Sequence, residues 1–152
     1  MKEKPHRLRA SCYTGCSAVA FTLCCENKEC YFNDEKLIFE CLNILKNGID
    51  SYNVINWGYV FMPDHMHMIL QGRETNANLL KLLNMFKQKT SYKIKNTINS
   101  SFSWQKSYYD HILRSEKELS KHIRYIAENP VRKGLIDDWK KYKYFGSLSF
   151  KE

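Results

Sequence analysis

Two histidines stand two positions apart in the apolar stretch PDHMHMIL, residues 63–70. In a β-strand successive side chains alternate between the two faces, so His65, His67 and Ile69 would share one face. The opposite face would carry side chains that can fill a core, namely Met66, Met68 and Leu70. The two imidazoles would therefore project together and could bind one ion, although a pair of solvent-exposed histidines is the simpler alternative.

A second group of polar side chains recurs with helical spacing in residues 116–129. At about 100° per residue, Leu119, Ile123 and Ile126 fall on one face, which we expect to be buried. Beside that face runs a polar stripe of Glu118, His122, Tyr125 and Asn129. Tyr125 and Asn129 are one turn apart, so the helix presents a phenol and an amide oxygen as neighbours.

These residue types are suited to phosphoryl chemistry. Two imidazoles and the Asn129 amide oxygen provide three ligands and leave open positions on a divalent ion, which can polarise a phosphate. A tyrosine can be a covalent nucleophile, although its phenol needs activation at neutral pH. Tyr125 would then form a phosphotyrosine bond, which conserves phosphodiester energy for a later strand joining. Asp64 is a further candidate ligand, but the dipeptide Pro63-Asp64 favours a turn.

Two stretches resemble the motifs of a known family. PDHMHMIL is similar to the His-hydrophobe-His motif of the HUH endonucleases, and YIAENPVRKGLI is similar to the end of the catalytic helix in their single-tyrosine transposases. The order of elements from about residue 10 onward resembles the REP-associated tyrosine transposases in particular. The cysteine-rich segment YTGCSAVAFTLCC departs from the more polar first strand that such relatives often carry.

The resemblance implies an α+β fold in which an antiparallel β-sheet has flanking helices, the palm or RRM-like (ferredoxin-like) fold of HUH endonucleases. It implies that Mg²⁺ or Mn²⁺ binds His65, His67 and Asn129. It also implies that Tyr125 attacks the scissile phosphate of single-stranded, hairpin-forming DNA, giving a 5′-phosphotyrosine and a free 3′-hydroxyl that can reverse the step in strand transfer. Such relatives include monomers and homodimers, so both states stay open.

The charge of the chain suits a polyanionic partner. Lys and Arg number 24 against 16 Asp and Glu, which gives +8 at pH 7, and the aromatic side chains could stack on bases. The candidate nucleic-acid contacts are Lys87, Lys89, Arg114, Arg124, Arg132 and Lys133. Ordinary solvated surface charges would give the same pattern, and His122 is expected to lie on the surface as well.

Local patterns predict the elements that position these residues. The pattern of residues 11–25 predicts a strand or hairpin arm. A helix is predicted next, which starts from a cap at Asn33 or Asp34 and ends at Asn47-Gly48. Residues 52–72 read as two antiparallel strands joined by a tight turn at Pro63-Asp64.

The second half of the chain alternates in the same way. A lysine-rich helix over residues 76–96 begins with a capping Asn76, and residues 101–113 form another strand. The capping box Ser115-x-x-Glu118 opens the last helix, which we expect to end around Asn129 because Pro130 disfavours helical geometry in the residue before it. The remaining tail is expected to pack irregularly over the sheet.

The sequence predicts a single domain over residues 1–152, with the motifs in a core of about residues 10–140 and a basic, aromatic tail at 138–152. We expect no signal peptide and no membrane span, which makes the cytoplasm the default compartment. The cysteine spacings could belong to a zinc site, but small apolar residues in a buried strand region are the favoured interpretation for Cys12, Cys16, Cys24, Cys25, Cys30 and Cys41.

Two functions other than a metal-dependent transesterase stay open at this point. A nucleic-acid-binding module on the same fold would need neither the histidines nor the tyrosine. A metal-dependent phosphodiester hydrolase would use Tyr125 only to position water and would form no covalent adduct. Tyr108 and Tyr109 are rival nucleophiles, although strand aromatics that pack the sheet are the favoured interpretation of both.

Overall fold

The computed structural model describes residues 10–150 and shows an α+β fold built on a five-stranded antiparallel sheet. In chain order its elements are β1 (Ala18–Cys24), α1 (Glu35–Ser51), β2 (Val54–Met62), β3 (His65–Gly72), α2 (Leu79–Thr97), β4 (Tyr109–Leu113), α3 (Glu116–Arg132) and β5 (Phe145–Gly146). The strands lie in the spatial order β4-β1-β3-β2-β5. The predicted fold class is therefore confirmed, while the N-terminal segment, for which no signal peptide is expected, lies outside the described residues.

The strand pair that carries the histidines forms as predicted. β2 and β3 are antiparallel neighbours across the turn at Pro63-Asp64, with Met62 opposite His65. On its other side β3 pairs with β1, where Thr22 stands opposite His67. Because opposed residues of an antiparallel pair share a face, Thr22 joins the two histidines on one side of the sheet.

The opposite side of the sheet is covered by α1 and α2 and contains the larger core. Met66, Met68 and Leu70 of β3 are fully buried there, as predicted. The helices contribute apolar side chains that include Leu37, Leu45, Leu83 and Phe86. Each such side chain stabilises the fold by roughly 1.5–3 kcal/mol on burial, so this layer holds β3 firmly in register.

Among residues 10–150, α3 is the α-helix that covers the histidine side of the sheet. Ile126 is fully buried against the sheet, and Leu119 and Ile123 are partly buried, as the helical spacing predicts. The predicted capping box opens α3, because Ser115 Oγ accepts a hydrogen bond from the Glu118 backbone N–H at 3.1 Å. Since one helix cannot cover the whole face, open grooves remain on either side of it.

Two predicted helix boundaries were wrong. The helix expected to end at Asn47-Gly48 continues to Ser51, because Gly48 and Ile49 extend the buried face of α1 by another turn. The capping residue of α2 is Asn78 rather than Asn76, and its side chain accepts a hydrogen bond from the Lys81 N–H at 3.1 Å. Of the two caps considered for α1, Asp34 is the one used.

The end of α3 near Asn129 was also predicted wrongly, because the helix passes through Pro130 and ends at Arg132. Gly134, with φ of 75°, terminates it: the Gly134 N–H donates to the Val131 carbonyl and the Leu135 N–H donates to the Pro130 carbonyl. This is a Schellman arrangement, which satisfies the last carbonyls. It outweighs the local preference of the residue before proline.

The tail does not simply lie over the sheet as expected but extends it. β5 pairs with the edge of β2, with Phe145 opposite Val60. The Tyr142 hydroxyl donates to the Phe61 carbonyl at 2.6 Å, and the Ser147 hydroxyl donates to the Asn56 carbonyl at 2.9 Å. The strands predicted over residues 11–25 and 101–113 are shorter than expected, with isolated bridges in their flanks.

Candidate active site

The two histidines of β3 form one edge of the candidate active site. His65 begins the strand directly after the turn, and its ring centroid lies 4.9 Å from that of His67. The turn itself is held from outside, because the Cys25 N–H donates to the Asp64 carbonyl at 2.9 Å. The two imidazoles are therefore close together, as predicted, and are positioned by a rigid strand and an anchored turn.

Each imidazole is oriented through its Nδ1 atom. His65 Nδ1 lies 2.7 Å from a carboxylate oxygen of Asp64, which accepts the ring N–H. His67 Nδ1 lies 2.8 Å from Thr22 Oγ1 on the neighbouring strand. When Nδ1 carries the proton, Nε2 keeps its lone pair, and an outer hydrogen bond of this kind is typical of histidines that bind metals. Asp64 thus lies in the turn, as expected, and also orients His65.

The environment of His67 favours the neutral imidazole. Burial, together with the positive charges that His65, His122 and Arg132 can carry, lowers the pKa of His67 to about 3. At neutral pH the ring is therefore unprotonated, which is the form that can donate a lone pair to a metal ion.

Helix α3 brings Tyr125 beside His67, and Asn129 follows one turn later on the same helix. The Tyr125 ring is 49% exposed, and its centroid lies 6.5 Å from that of His67, edge to face. Asn129, one turn later, is only 3% exposed. The guanidinium of Arg132 lies over the Tyr125 ring, 4.1 Å from its centroid, and one of its N–H groups lies 3.4 Å from Asn129 Oδ1.

An open groove of about 580 Å³ runs between α3 and the sheet beside these residues. Its walls include Thr22, His67, Tyr109, His111, His122 and Tyr125. His122, expected on the surface, is instead half-buried, with its ring 5.5 Å from that of Tyr125 and 6.2 Å from that of His111. Burial, followed by the nearby His111, lowers the pKa of His122.

The structure separates the candidate nucleic-acid contacts into three groups. Arg132 lies within the site, whereas Arg114, Arg124 and Lys133 are exposed near α3. The predicted contacts Lys87 and Lys89 belong to α2, on the other side of the sheet from the histidines. Lys87 Nζ donates to two backbone carbonyls, of Gln105 at 3.0 Å and of Lys106 at 2.9 Å.

The rival tyrosines differ in their positions. Tyr108 is buried and packs edge to face on Phe21 in the larger core, so its ring does not face the histidines. Tyr109 stands opposite Thr22 and lines the groove. Thr22 and His111 have no signal of their own in the sequence, because their places depend on which strands pair.

The described residues contain neither a cluster of acidic, histidine and cysteine ligands nor a membrane-spanning helix. Within residues 10–150 no three histidine, cysteine, aspartate or glutamate side chains form a group that could hold a metal ion. The cysteines are free thiols, with Cys25 and Cys41 buried. The expectation of a buried strand region was wrong for Cys16 and Cys30, which are exposed outside the strands, and for Cys41, which lies in α1. No helix in this range is both long and apolar enough to cross a membrane.

Comparisons with known proteins agree with this geometry. The family described as "Transposase IS200 like" matches residues 15–129, which include both histidines, Tyr125 and Asn129. A Haemophilus influenzae protein provisionally named a REP-associated tyrosine transposase is 24% identical over 117 residues, covering 70% of this chain and 66% of that protein. The REP-associated tyrosine transposase of Escherichia coli K12 is 28% identical over 86 residues, covering 53% of this chain and 48% of that protein.

A solved structure of a REP-associated tyrosine transposase bound to a REP hairpin has the same fold. It superimposes with a TM-score of 0.76 at 17% identity, covering 100% of this chain and 92% of the other. The fold and the family match place the chain among the single-tyrosine transposases of the HUH type. The chain belongs to the family of IS200-like transposases, and its relatives include the REP-associated tyrosine transposases.

Proposed function

We propose that this protein is a metal-dependent single-stranded DNA endonuclease and strand transferase, which cuts through a covalent 5′-phosphotyrosine intermediate on Tyr125. The observation that supports this most directly is the adjacency of His67 and Tyr125, whose ring centroids lie 6.5 Å apart in one open groove. A nucleic-acid-binding module would have no need to combine two oriented imidazoles, an exposed phenol and a buried amide at one point.

The donor set fits Mg²⁺ or Mn²⁺. His65 and His67 would supply nitrogen ligands and Asn129 an amide oxygen, while oxygens of water and of the phosphate, which both ions prefer, would complete the coordination. The outer hydrogen bonds from Asp64 and Thr22 favour Nε2 as the donor atom of each ring. When bound, the ion would act as a Lewis acid on the scissile phosphate and hold it in place.

The chain's own groups account for the bonds that change. Tyr125 Oη would attack the phosphorus and lose its proton as the P–O3′ bond breaks, leaving a free 3′-hydroxyl and a 5′-phosphate on the phenol oxygen. In strand transfer a 3′-hydroxyl would attack the same phosphorus and release the phenol. The exposure of Tyr125 on the groove leaves room for this approach.

The substrate proposed for this enzyme is single-stranded DNA that carries a hairpin. The structural neighbour was solved with a REP hairpin, and the chain has a net charge of +8. The exposed side chains of Arg114, Arg124 and Lys133 lie near the helix that carries Tyr125, where they would contact phosphates.

The test is a denaturing gel of protein mixed with Mn²⁺ and a pool of hairpin-bearing single-stranded oligonucleotides. We expect an adduct that resists denaturation, requires the metal and disappears in Tyr125→Phe. Tyr92→Phe, which alters an exposed tyrosine of α2, serves as the matched control and should keep the adduct. Cleavage without an adduct would instead support the hydrolase, and binding without cleavage would support the binding module.

A further inference from the structure

Arg132 differs from the other candidate phosphate contacts near α3 because its side chain lies on the Tyr125 ring. Residues 125, 129 and 132 recur at spacings of four and three, so they lie along one face of α3. Arg132 folds back along this face until its guanidinium lies 4.1 Å from the centroid of the Tyr125 ring. The cationic plane thus covers one face of the proposed nucleophile.

The same guanidinium is hydrogen-bonded to the helix that carries it. Its Nη2 group donates to the backbone carbonyl of Tyr125 and lies 3.4 Å from Asn129 Oδ1. One side chain therefore contacts the ring and backbone of the proposed nucleophile and the oxygen of the proposed third metal ligand. The guanidinium is planar and carries several N–H donors, so it can make all three contacts at once. A lysine ammonium cannot.

The backbone below Arg132 is also fixed. The Schellman turn at Gly134 closes the last turn of α3, and the Lys133 N–H donates to the Asn129 carbonyl at 3.0 Å. Arg132 therefore starts from a defined position at the helix end. It also lies beyond residues 15–129, the range that matches the family.

We propose that Arg132 is a positioning residue for Tyr125 and Asn129 rather than a phosphate contact, a role that rests on the proposed function of Tyr125. By stacking on the phenol ring and donating to the amide oxygen, it restricts the rotamers of both side chains. Tyr125 is half exposed, and Arg132 lies closer to its ring than His122 or His67 does, so we expect this cation to help hold the phenol toward the groove.

The first test measures the contact itself and needs no activity. In metal-free protein with isotope-labelled tyrosine and arginine, nuclear Overhauser cross-peaks should join the Tyr125 ring protons to the Arg132 side chain. The Tyr125 resonance is identified by its absence in Tyr125→Phe. A fully folded wild-type protein that lacks these cross-peaks would overturn the proposal.

The second test separates positioning from DNA binding. Arg132→Lys keeps a positive charge for a phosphate but loses the planar stack and the fork of donors. We expect its affinity for a hairpin oligonucleotide to stay within about two-fold of wild type, while the single-turnover rate of adduct formation at saturating DNA falls about 10- to 100-fold. Lys117→Gln, which removes an exposed charge from the first turn of α3, should leave that rate unchanged.

The outcomes distinguish this role from the proposed function. If Arg132→Lys forms the adduct at the wild-type rate, the positioning role is wrong while the function stands. If Arg132→Lys instead loses affinity and keeps the saturating rate, Arg132 is a phosphate contact. If the wild-type protein itself forms no adduct, the proposed function fails and this role fails with it.

Discussion

Thr22 Oγ1 lies 2.8 Å from Nδ1 of His67, across the pairing of β1 with β3. This hydrogen bond links the register of the sheet to the orientation of a candidate metal ligand. A shift of β1 by one residue would turn the Thr22 side chain to the other face and leave His67 Nδ1 without this partner. The chemistry proposed for the groove therefore depends on strand pairing as well as on the His-Met-His motif.

Removing this hydrogen bond should weaken metal binding. We expect Thr22→Val, which keeps the shape of the side chain, to lower the affinity for Mn²⁺ about 10- to 100-fold, the usual cost of losing an outer partner of a histidine ligand. Thr22→Ser retains the hydroxyl and should bind Mn²⁺ nearly as wild type does. Isothermal titration calorimetry on the three proteins would decide, and equal affinities would show that Thr22 does not orient the ligand.

Burial of neutral His67 should make the metal-free protein less stable in acid. The pKa of His67 is lowered to about 3 in the folded chain, against about 6.5 when unfolded, so the unfolded state binds the proton first as the pH falls below 6.5. The stability that neutral His67 gives the folded protein is fully present above pH 6.5 and is lost progressively toward pH 3. Between pH 7 and pH 5 this one group should lower the free energy of unfolding by about 2 kcal/mol.

Urea unfolding in the presence of a chelator tests this pH dependence. The other titratable groups are shared by wild type and His67→Gln, so the difference between the two curves isolates His67. As the pH falls from 7 to 5, the free energy of unfolding of wild type should fall by about 2 kcal/mol relative to that of His67→Gln. Parallel curves would mean that His67 is not held neutral by burial.

Several features of the fold could be predicted from the sequence because their signals are local. The turn at Pro63-Asp64 and the alternation after it place both imidazoles on one face, and Ser115 with Glu118 marks the start of α3. Features that depend on tertiary contacts could not be predicted. The pairing that brings Thr22 to His67 has no local pattern, and helical spacing places Arg132 on the face of Tyr125 without showing that its side chain folds back onto the ring.

The wrong helix boundaries have the same origin. The pattern at Gly48 predicts a helix end, but Ile49 is buried in the larger core and continues the apolar face of α1 past this glycine. Pro130 reads as a helix end too, yet the Schellman turn at Gly134 stabilises another turn beyond Asn129. In both cases an interaction beyond the local pattern outweighed a local preference.

Gly134→Ala should destabilise the protein modestly. Its φ of 75° lies in the left-handed region, where a Cβ costs about 1 kcal/mol, although no atom lies within 4 Å of the position a Cβ would take. Thermal unfolding should therefore show a lower midpoint for Gly134→Ala. An unchanged midpoint would show that the helix end tolerates another conformation.

The cysteines should differ sharply in reactivity. Burial raises the pKa of Cys25 to about 12 and also raises that of Cys41, whereas Cys16 and Cys30 are exposed. Alkylation of the native protein with iodoacetamide, followed by peptide mass spectrometry, should label the exposed pair more than about 100-fold faster. Rapid labelling of Cys25 in native buffer would contradict the buried position of this residue.

The most direct measurement locates the covalent bond. The adduct formed with Mn²⁺ and a hairpin oligonucleotide is digested with nuclease and trypsin, and the peptide that retains a nucleotide is sequenced by mass spectrometry. We predict the modification on Tyr125, in the peptide of residues 125–132. A modification on Tyr108 or Tyr109, in the peptide of residues 107–114, or no modified peptide from a DNA that is nonetheless cut, would contradict Tyr125 as the nucleophile.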